Sequence, residues 1–140
     1  GLRPGTEPVE LAAAFEAAVK AYPENLTFFS SLRHRLTGHL ERLNRIIINS
    51  PENGIDNILN FSVLGARSEI MLHFLEEKGI YVSSGSACSK GKISPVPEAF
   101  GISHERADSA LRVSFSRYNT EKEVDILAEA LEEGIKRFAR

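Results

Sequence analysis

The sequence is poorer in reactive and ligating side chains than its length allows. Of 140 residues one is cysteine, Cys88, so no disulfide can close within the chain, which fits a reducing compartment. The four histidines, His34, His39, His73 and His104, have no ligand spacing among themselves, and with one cysteine no metal site is expected. Seventeen Lys and Arg against nineteen Asp and Glu leave a net charge of -2, without the basic excess that marks a nucleic-acid surface. No apolar run approaches the length of a membrane span, and no charged-then-apolar signal pattern opens the chain. These absences point to a cytoplasmic protein with neither membrane nor nucleic acid as partner. Repeats, linkers and low-complexity stretches are missing as well, so residues 1–140 read as a single domain, long enough to bury a core. Methionine is missing from the first position, where Gly1 stands, and this points to a piece of a longer protein.

What is present centres on residues 83–91, Ser-Ser-Gly-Ser-Ala-Cys-Ser-Lys-Gly. Nothing in that run is large enough to anchor it in a core, and Gly85 and Gly91 bracket Cys88 with permissive backbone. The composition predicts a loop that displays a thiol. The competing reading is a core cysteine, because a lone Cys usually behaves as a small buried hydrophobe. Its neighbours argue for display, since a buried cysteine belongs beside apolar residues, whereas Cys88 lies between Ala87 and a Ser-Lys-Gly run. Lys90, two positions on, is a cation able to favour thiolate if it folds back.

Hydrophobic spacing predicts an amphipathic helix from Pro8 to about Tyr22, carrying Leu11, Phe15, Ala18 and Tyr22, with Pro23 as punctuation. A second helix runs from Asn25 or Thr27 to Leu43. Its apolar face holds Phe29, Leu32, Leu36, Leu40 and Leu43, with Arg33, Arg35, Glu41 and Arg42 on the other faces. His34 and His39 are expected on the solvated side, and the pair Phe28 and Phe29 in the core. Ile46, Ile47 and Ile48 form a strand that ends in a dense turn signal over residues 49–54. Residues 58–64 alternate, with Leu59, Phe61 and Val63 on one side and Asn60 and Ser62 on the other, as in a half-buried strand. Ser68 is the expected cap of a third helix with Ile70, Met71, Phe74 and Leu75 on its core face, ended by Lys78 and Gly79. Residues 80–82 form a short strand feeding the cysteine run. A short helix near residues 97–100 and another turn at residues 104–107 precede a strand in which Leu111, Val113 and Phe115 face the core and Arg112 the opposite side. Thr120 and Glu123 make a capping box for a last helix striped by Val124, Leu127, Leu131, Ile135 and Phe138. Four helices and four short strands in mixed order give an α/β (α+β) sandwich: a small, mainly antiparallel sheet with helices packed on one face.

Three stretches, taken in order, resemble one enzyme family. Residues 82–91 are similar to the active-site cysteine loop of the cysteine desulfurases, pyridoxal-phosphate enzymes of the class V aminotransferase family. Arg-Pro-Gly-Thr at residues 3–6 resembles the Arg-Ser-Gly-Thr stretch just after the cofactor lysine. Leu-Arg-Val-Ser-Phe-Ser-Arg at residues 111–117 resembles the arginine-bearing strand that follows the cysteine loop. The resemblance spans essentially the whole chain and implies the C-terminal small domain of a fold-type I enzyme, with the N-terminal cofactor domain absent from residues 1–140.

The resemblance also implies roles. Cys88 corresponds to the cysteine that takes sulfur from an L-cysteine substrate, leaving L-alanine and an enzyme persulfide. Arg112 corresponds to the arginine that binds the substrate carboxylate, which a guanidinium grips bidentately; the plainer alternative is a solvated or salt-bridged strand arginine. Thr6 corresponds to a threonine that contacts the cofactor phosphate of the other subunit in a homodimer, and a plain helix N-cap is the alternative there. Arg117, at the strand end, is read as structural. No lysine here has the Ser-x-His-Lys context that holds pyridoxal 5'-phosphate in the resembled enzymes, so this chain alone is expected neither to bind the cofactor well nor to turn over. The implied partner is a sulfur-acceptor scaffold protein of iron–sulfur cluster or thio-cofactor assembly. Three other readings stay open: a free-standing sulfur-carrier or interaction module without the cofactor, a catalytically silent dimerisation domain, and selenocysteine lyase or another class V aminotransferase activity.

Overall fold

The computed structural model describes residues 7–22, 27–84 and 101–139. Thr6, Cys88, Pro23 and the short helix expected at residues 97–100 lie outside them. Among the described residues, five helices and four strands follow in the order α1 (Val9–Lys20), α2 (Thr27–Leu40), β1 (Ile46–Ile48), β2 (Ile58–Val63), α3 (Ser68–Glu77), β3 (Ser83–Ser84), α4 (His104–Asp108), β4 (Ala110–Ser114) and α5 (Glu121–Phe138). The strands form one antiparallel sheet in the order β1-β2-β4-β3. The expected sandwich is what the chain adopts.

Side-chain alternation decides the two faces of the sheet. Leu59, Phe61, Val63, Leu111 and Val113 point to one side and are buried against Leu32, Leu36, Met71, Leu75, Leu127 and Leu131 of α2, α3 and α5. Fully burying a side chain of this size contributes about 1.5–3 kcal/mol, so this layer holds the domain together. α5 begins with the expected capping box. The backbone N–H of Thr120 donates to Glu123 Oε2 at 2.7 Å, the backbone N–H of Glu123 donates to Thr120 Oγ1 at 3.3 Å, and the first of these bonds holds the Glu123 carboxyl below its ordinary pKa. Ile135 and Phe138 are only half-buried at the far end of the stripe. Gly134 lets α5 approach α3 closely: a Cβ there would stand 2.7 Å from Met71 Cε.

Several local expectations are corrected by tertiary contacts. α1 is helical but none of its residues is buried, and Leu11, Phe15 and Tyr22 are 69%, 72% and 54% exposed. Its alanine-rich sequence favours helix without a packing partner, and beyond its end the Arg117 guanidinium donates to the carbonyl of Ala21 at 2.6 Å. α2 stops at Leu40, and Leu43 follows in a turn before Arg45, whose φ is 71°. Arg33, expected on an outer face, is 7% exposed and donates to the carbonyls of Ile55 at 2.6 Å and Pro51 at 2.5 Å, clamping the β1–β2 turn. Hydrophobic spacing cannot anticipate a cation satisfied by carbonyls from another segment. Phe29 is buried while its neighbour Phe28 is 40% exposed. Arg67 rather than Ser68 occupies the cap position of α3, and Ile70 is 44% exposed.

α3 ends as the sequence indicates. Gly79 takes φ 75°, its N–H bonds the carbonyl of Glu76 at 2.9 Å, and the N–H of Ile80 bonds that of Leu75 at 2.9 Å. These two bonds are the Schellman pattern, which needs a left-handed residue and so favours glycine. The strand expected at residues 80–82 begins three residues later, at Ser83: Ile80 and Val82 pack against the core, and among the described residues Ser83 and Ser84 are the ones that pair with β4.

His39, expected to be solvated, joins an acidic and basic cluster that ties α2 to α5. Arg35 binds Asp125 through Nε and Nη2 at 2.7 and 2.8 Å and Glu121 through Nη1 at 2.8 Å, while His39 Nε2 lies 2.9 Å from Asp125 Oδ1. The Arg35 guanidinium is the main reason the Asp125 carboxyl titrates at about 2, below its ordinary 3.8. A depressed carboxyl contributes stability that is present above the ordinary value and lost as pH falls toward the folded one. Thermal unfolding of the wild type and of Asp125→Asn is therefore expected to differ most above about pH 4, with the wild type the more stable, and to converge as pH drops to about 2. Parallel pH profiles for the two proteins would contradict the pairing.

Candidate functional site

The face of the sheet turned away from α2, α3 and α5 carries a polar row between Ile47 and Ala110 on one side and Ile58 on the other. The registers pair Asn60 with Arg112 and Arg112 with Ser83, and the backbone N–H of Asn49, just past β1, donates to the carbonyl of Asn60 at 2.8 Å. Asn49, Asn60, Arg112 and Ser83 therefore form a row across all four strands. α4 covers one end of this face. The hydroxyl of Ser62 donates to the carbonyl of Arg106 at 2.7 Å, which is why Ser62, expected to be half-solvated, is fully buried.

Arg112 stands where period-two alternation puts it. Leu111 and Val113 on either side are buried and Arg112 is exposed. Among the described residues its guanidinium has no hydrogen-bond or ion-pair partner, so it is available to an anion. Arg117, in contrast, is engaged with Ala21 and with the Tyr118 hydroxyl at 2.6 Å, as a structural residue should be.

β3 is the strand that leads into the cysteine run, and it is hydrogen-bonded to the strand that carries Arg112. Cys88 follows Ser84 by four positions. The run that holds Cys88 thus follows in sequence directly on the strand paired with that of Arg112.

A Schiff-base cofactor needs a lysine on this face, and the described lysines do not supply one. Lys20 is tied to Glu16 on α1, Lys78 to Glu133 and Lys136 to Glu132 in the helical layer, and Lys122 lies exposed in the first turn of α5. The described residues do not fit pyridoxal phosphate on their own. Among them no three His, Cys, Asp or Glu side chains converge as a metal site would require, and no helix is long and apolar enough to cross a membrane. An open groove of about 440 Å³ runs between residues 78–82 and the start of α5, lined by Ile80, Val82, Val113 and Phe115; Arg112 does not line it.

Three participants on the polar face were not singled out by the sequence. Asn49, Asn60 and Arg106 form a connected network, with Arg106 Nη2 donating to Asn49 Oδ1 at 2.6 Å and Asn49 Nδ2 donating to Asn60 Oδ1 and to Ser62 Oγ at 2.8 Å each. The only advance signal was the polar side of the alternating stretch at residues 58–64.

Comparison with known proteins gives this geometry a family. The chain is 36% identical over 146 aligned positions to cysteine desulfurase IscS of Clostridium botulinum (strain Kyoto / Type A2), covering 97% of this chain and 37% of that protein. It is 34% identical to cysteine desulfurase IscS of Serratia proteamaculans, covering 99% of this chain and 35% of the relative. Among solved structures, a NifS-like protein superposes with a TM-score of 0.80 at 32% identity, over 99% of this chain and 36% of the other. The NifS-like protein of Rickettsia africae does so with a TM-score of 0.82 at 27% identity, over 96% and 36%. The chain spans little more than a third of the length of these relatives. The family profile described as aminotransferase class-V matches residues 1–127, and with so much of its length matched the chain belongs to the class-V aminotransferase family.

Proposed function

We propose that this chain is the C-terminal domain of a pyridoxal-phosphate-dependent cysteine desulfurase, and that in the complete protein it supplies the thiol and the carboxylate grip. The observation that carries this reading is the pairing of Ser83 with Arg112, which binds the strand leading to Cys88 to the strand presenting an exposed guanidinium without a partner among the described residues. The similarity to cysteine desulfurases and the one-third coverage of their length support it, as does the apolar stripe of α1, which finds no partner among the described residues.

In this reading Arg112 binds the α-carboxylate of L-cysteine, and two parallel charge-assisted hydrogen bonds fix the amino acid's orientation. The Cys88 thiolate attacks the substrate sulfur. The S–S bond forms as the substrate C–S bond breaks, and L-cysteine with the enzyme thiol becomes L-alanine with an enzyme persulfide, all atoms accounted for. The electron sink for the bond cleavage is the cofactor's, held outside this chain. Thr6 contacts the cofactor phosphate of the other subunit in a homodimer, and the persulfide passes to a cytoplasmic sulfur-acceptor protein serving iron–sulfur cluster or thio-cofactor assembly. The isolated chain does not turn over.

The test is to incubate the complete protein with L-cysteine and analyse its peptides without reductant. The peptide containing Cys88 is expected to gain the mass of one sulfur atom while L-alanine accumulates. Formation of L-alanine with that peptide unmodified would refute the role of Cys88.

A further inference from the structure

Asn60 and Arg112 are directly opposed on neighbouring strands and share the polar face, so their Cβ atoms stand about 5 Å apart. The backbone around Asn60 is fixed: its N–H donates to Ser50 Oγ at 2.8 Å, and its carbonyl accepts from the N–H groups of Asn49 and Ser50 at 2.8 and 3.1 Å. What matters is which way its side-chain amide is turned.

That orientation follows from a chain of donors and acceptors. Arg106 is always protonated and can only donate, so the atom of Asn49 that meets Arg106 Nη2 at 2.6 Å must be the carbonyl oxygen. The Asn49 NH2 group is then the one turned to the sheet, and it donates to Ser62 Oγ and to Asn60. The hydroxyl of Ser62 spends its proton on the carbonyl of Arg106, which leaves its oxygen free to accept. Asn60 must therefore offer its own Oδ1 to Asn49. Its NH2 group is left over, and among the described residues that group has no acceptor.

The same face carries two guanidinium groups, Arg106 and Arg112, and among the described residues neither lies within ion-pair distance of a carboxylate. Beside Arg112 the polar face thus offers hydrogen-bond donors and positive charge with no counter-charge. Such a surface suits a carboxylate with more than one donor to each oxygen.

We propose that Asn60 is a second ligand of the substrate carboxylate, its side-chain NH2 presented beside the Arg112 guanidinium by the polar chain Arg106–Asn49–Asn60. The proposal rests on the assignment of Arg112 to the carboxylate of the amino-acid substrate. Asn60 touches the substrate, whereas Arg106 and Asn49 are positioning residues that fix the amide's sense. The pairing also gives specificity: an amine lacking the carboxylate leaves both groups idle.

The experiment measures equilibrium binding of L-alanine and of ethylamine to the complete protein by calorimetry, for the wild type, Asn60→Ala and Arg112→Ala. Losing one hydrogen bond to a charged group is expected to weaken L-alanine about tenfold in Asn60→Ala, and ethylamine binding is expected to stay as it was. Arg112→Ala is expected to show the same selectivity with a larger loss. If Arg112→Ala weakens L-alanine selectively and Asn60→Ala does not, the Asn60 proposal is overturned and the Arg112 assignment stands. If neither variant discriminates, the Arg112 assignment fails and takes the proposal with it. Equal weakening of both ligands in Asn60→Ala marks a merely structural residue and also overturns it. Should Asn60→Ala fail to fold, Arg106→Met keeps the question open to measurement, because it leaves Asn60 in place and frees the Asn49 amide to turn over. That variant is expected to weaken L-alanine several-fold with ethylamine unchanged, and wild-type affinity for L-alanine would count against the proposal.

Discussion

Serine at position 88 of the complete protein is expected to lower sulfur release from L-cysteine by at least about a thousandfold, the loss typical of removing a nucleophile. Attack on the substrate sulfur requires thiolate, and a serine hydroxyl remains protonated at neutral pH and cannot carry the transferred sulfur as a persulfide. Volume is nearly conserved, so the unfolding temperature of Cys88→Ser is expected to match the wild type. Desulfuration that survives the substitution would move the chemistry away from this thiol and toward one of the other class V reactions. Loss of stability alongside loss of activity would instead favour a core cysteine.

Arg112→Ala should have the second largest effect, lowering kcat/KM for L-cysteine by about a hundredfold or more. Truncating one partner of a hydrogen-bonded charge pair costs about 2–5 kcal/mol, much of it from leaving the other charge unmatched. The fold should tolerate the change, because Arg112 is exposed and its neighbours Leu111 and Val113 make the core contacts. Arg112→Lys restores the charge but not the bidentate fork, so it should recover only part of the loss. An unchanged kcat/KM in Arg112→Ala would leave the guanidinium as an ordinary surface group.

What could be read from the sequence and what could not separate along one physical line. Features set by neighbours within a few residues were legible: the capping box of Thr120 and Glu123, the left-handed stop at Gly79, and the alternation that turns Arg112 from the core. Features set by a distant segment were not. Arg33 is buried because two carbonyls of the β1–β2 turn receive it, and Ser62 because α4 closes over it. Conversely, Phe15 and Leu11 carry a core-like pattern on a helix that meets no core among the described residues. The candidate site divides likewise. Arg112 was visible from its own strand, whereas the place of Asn60 beside it depends on a strand register that one sequence does not encode locally.

The sheet is open, yet its margins are short. β1 has three residues and runs into Asn49, Ser50 and Pro51, and β3 has two. Edges that brief offer little backbone for a foreign strand to dock on, and a proline beside one of them lacks the N–H such docking would use. Among the described residues the β-layer therefore offers little template for amyloid-like growth, and clumping during expression of the chain alone should instead start at the greasy side of α1, where charged replacements at Phe15 or Leu11 are the natural remedy.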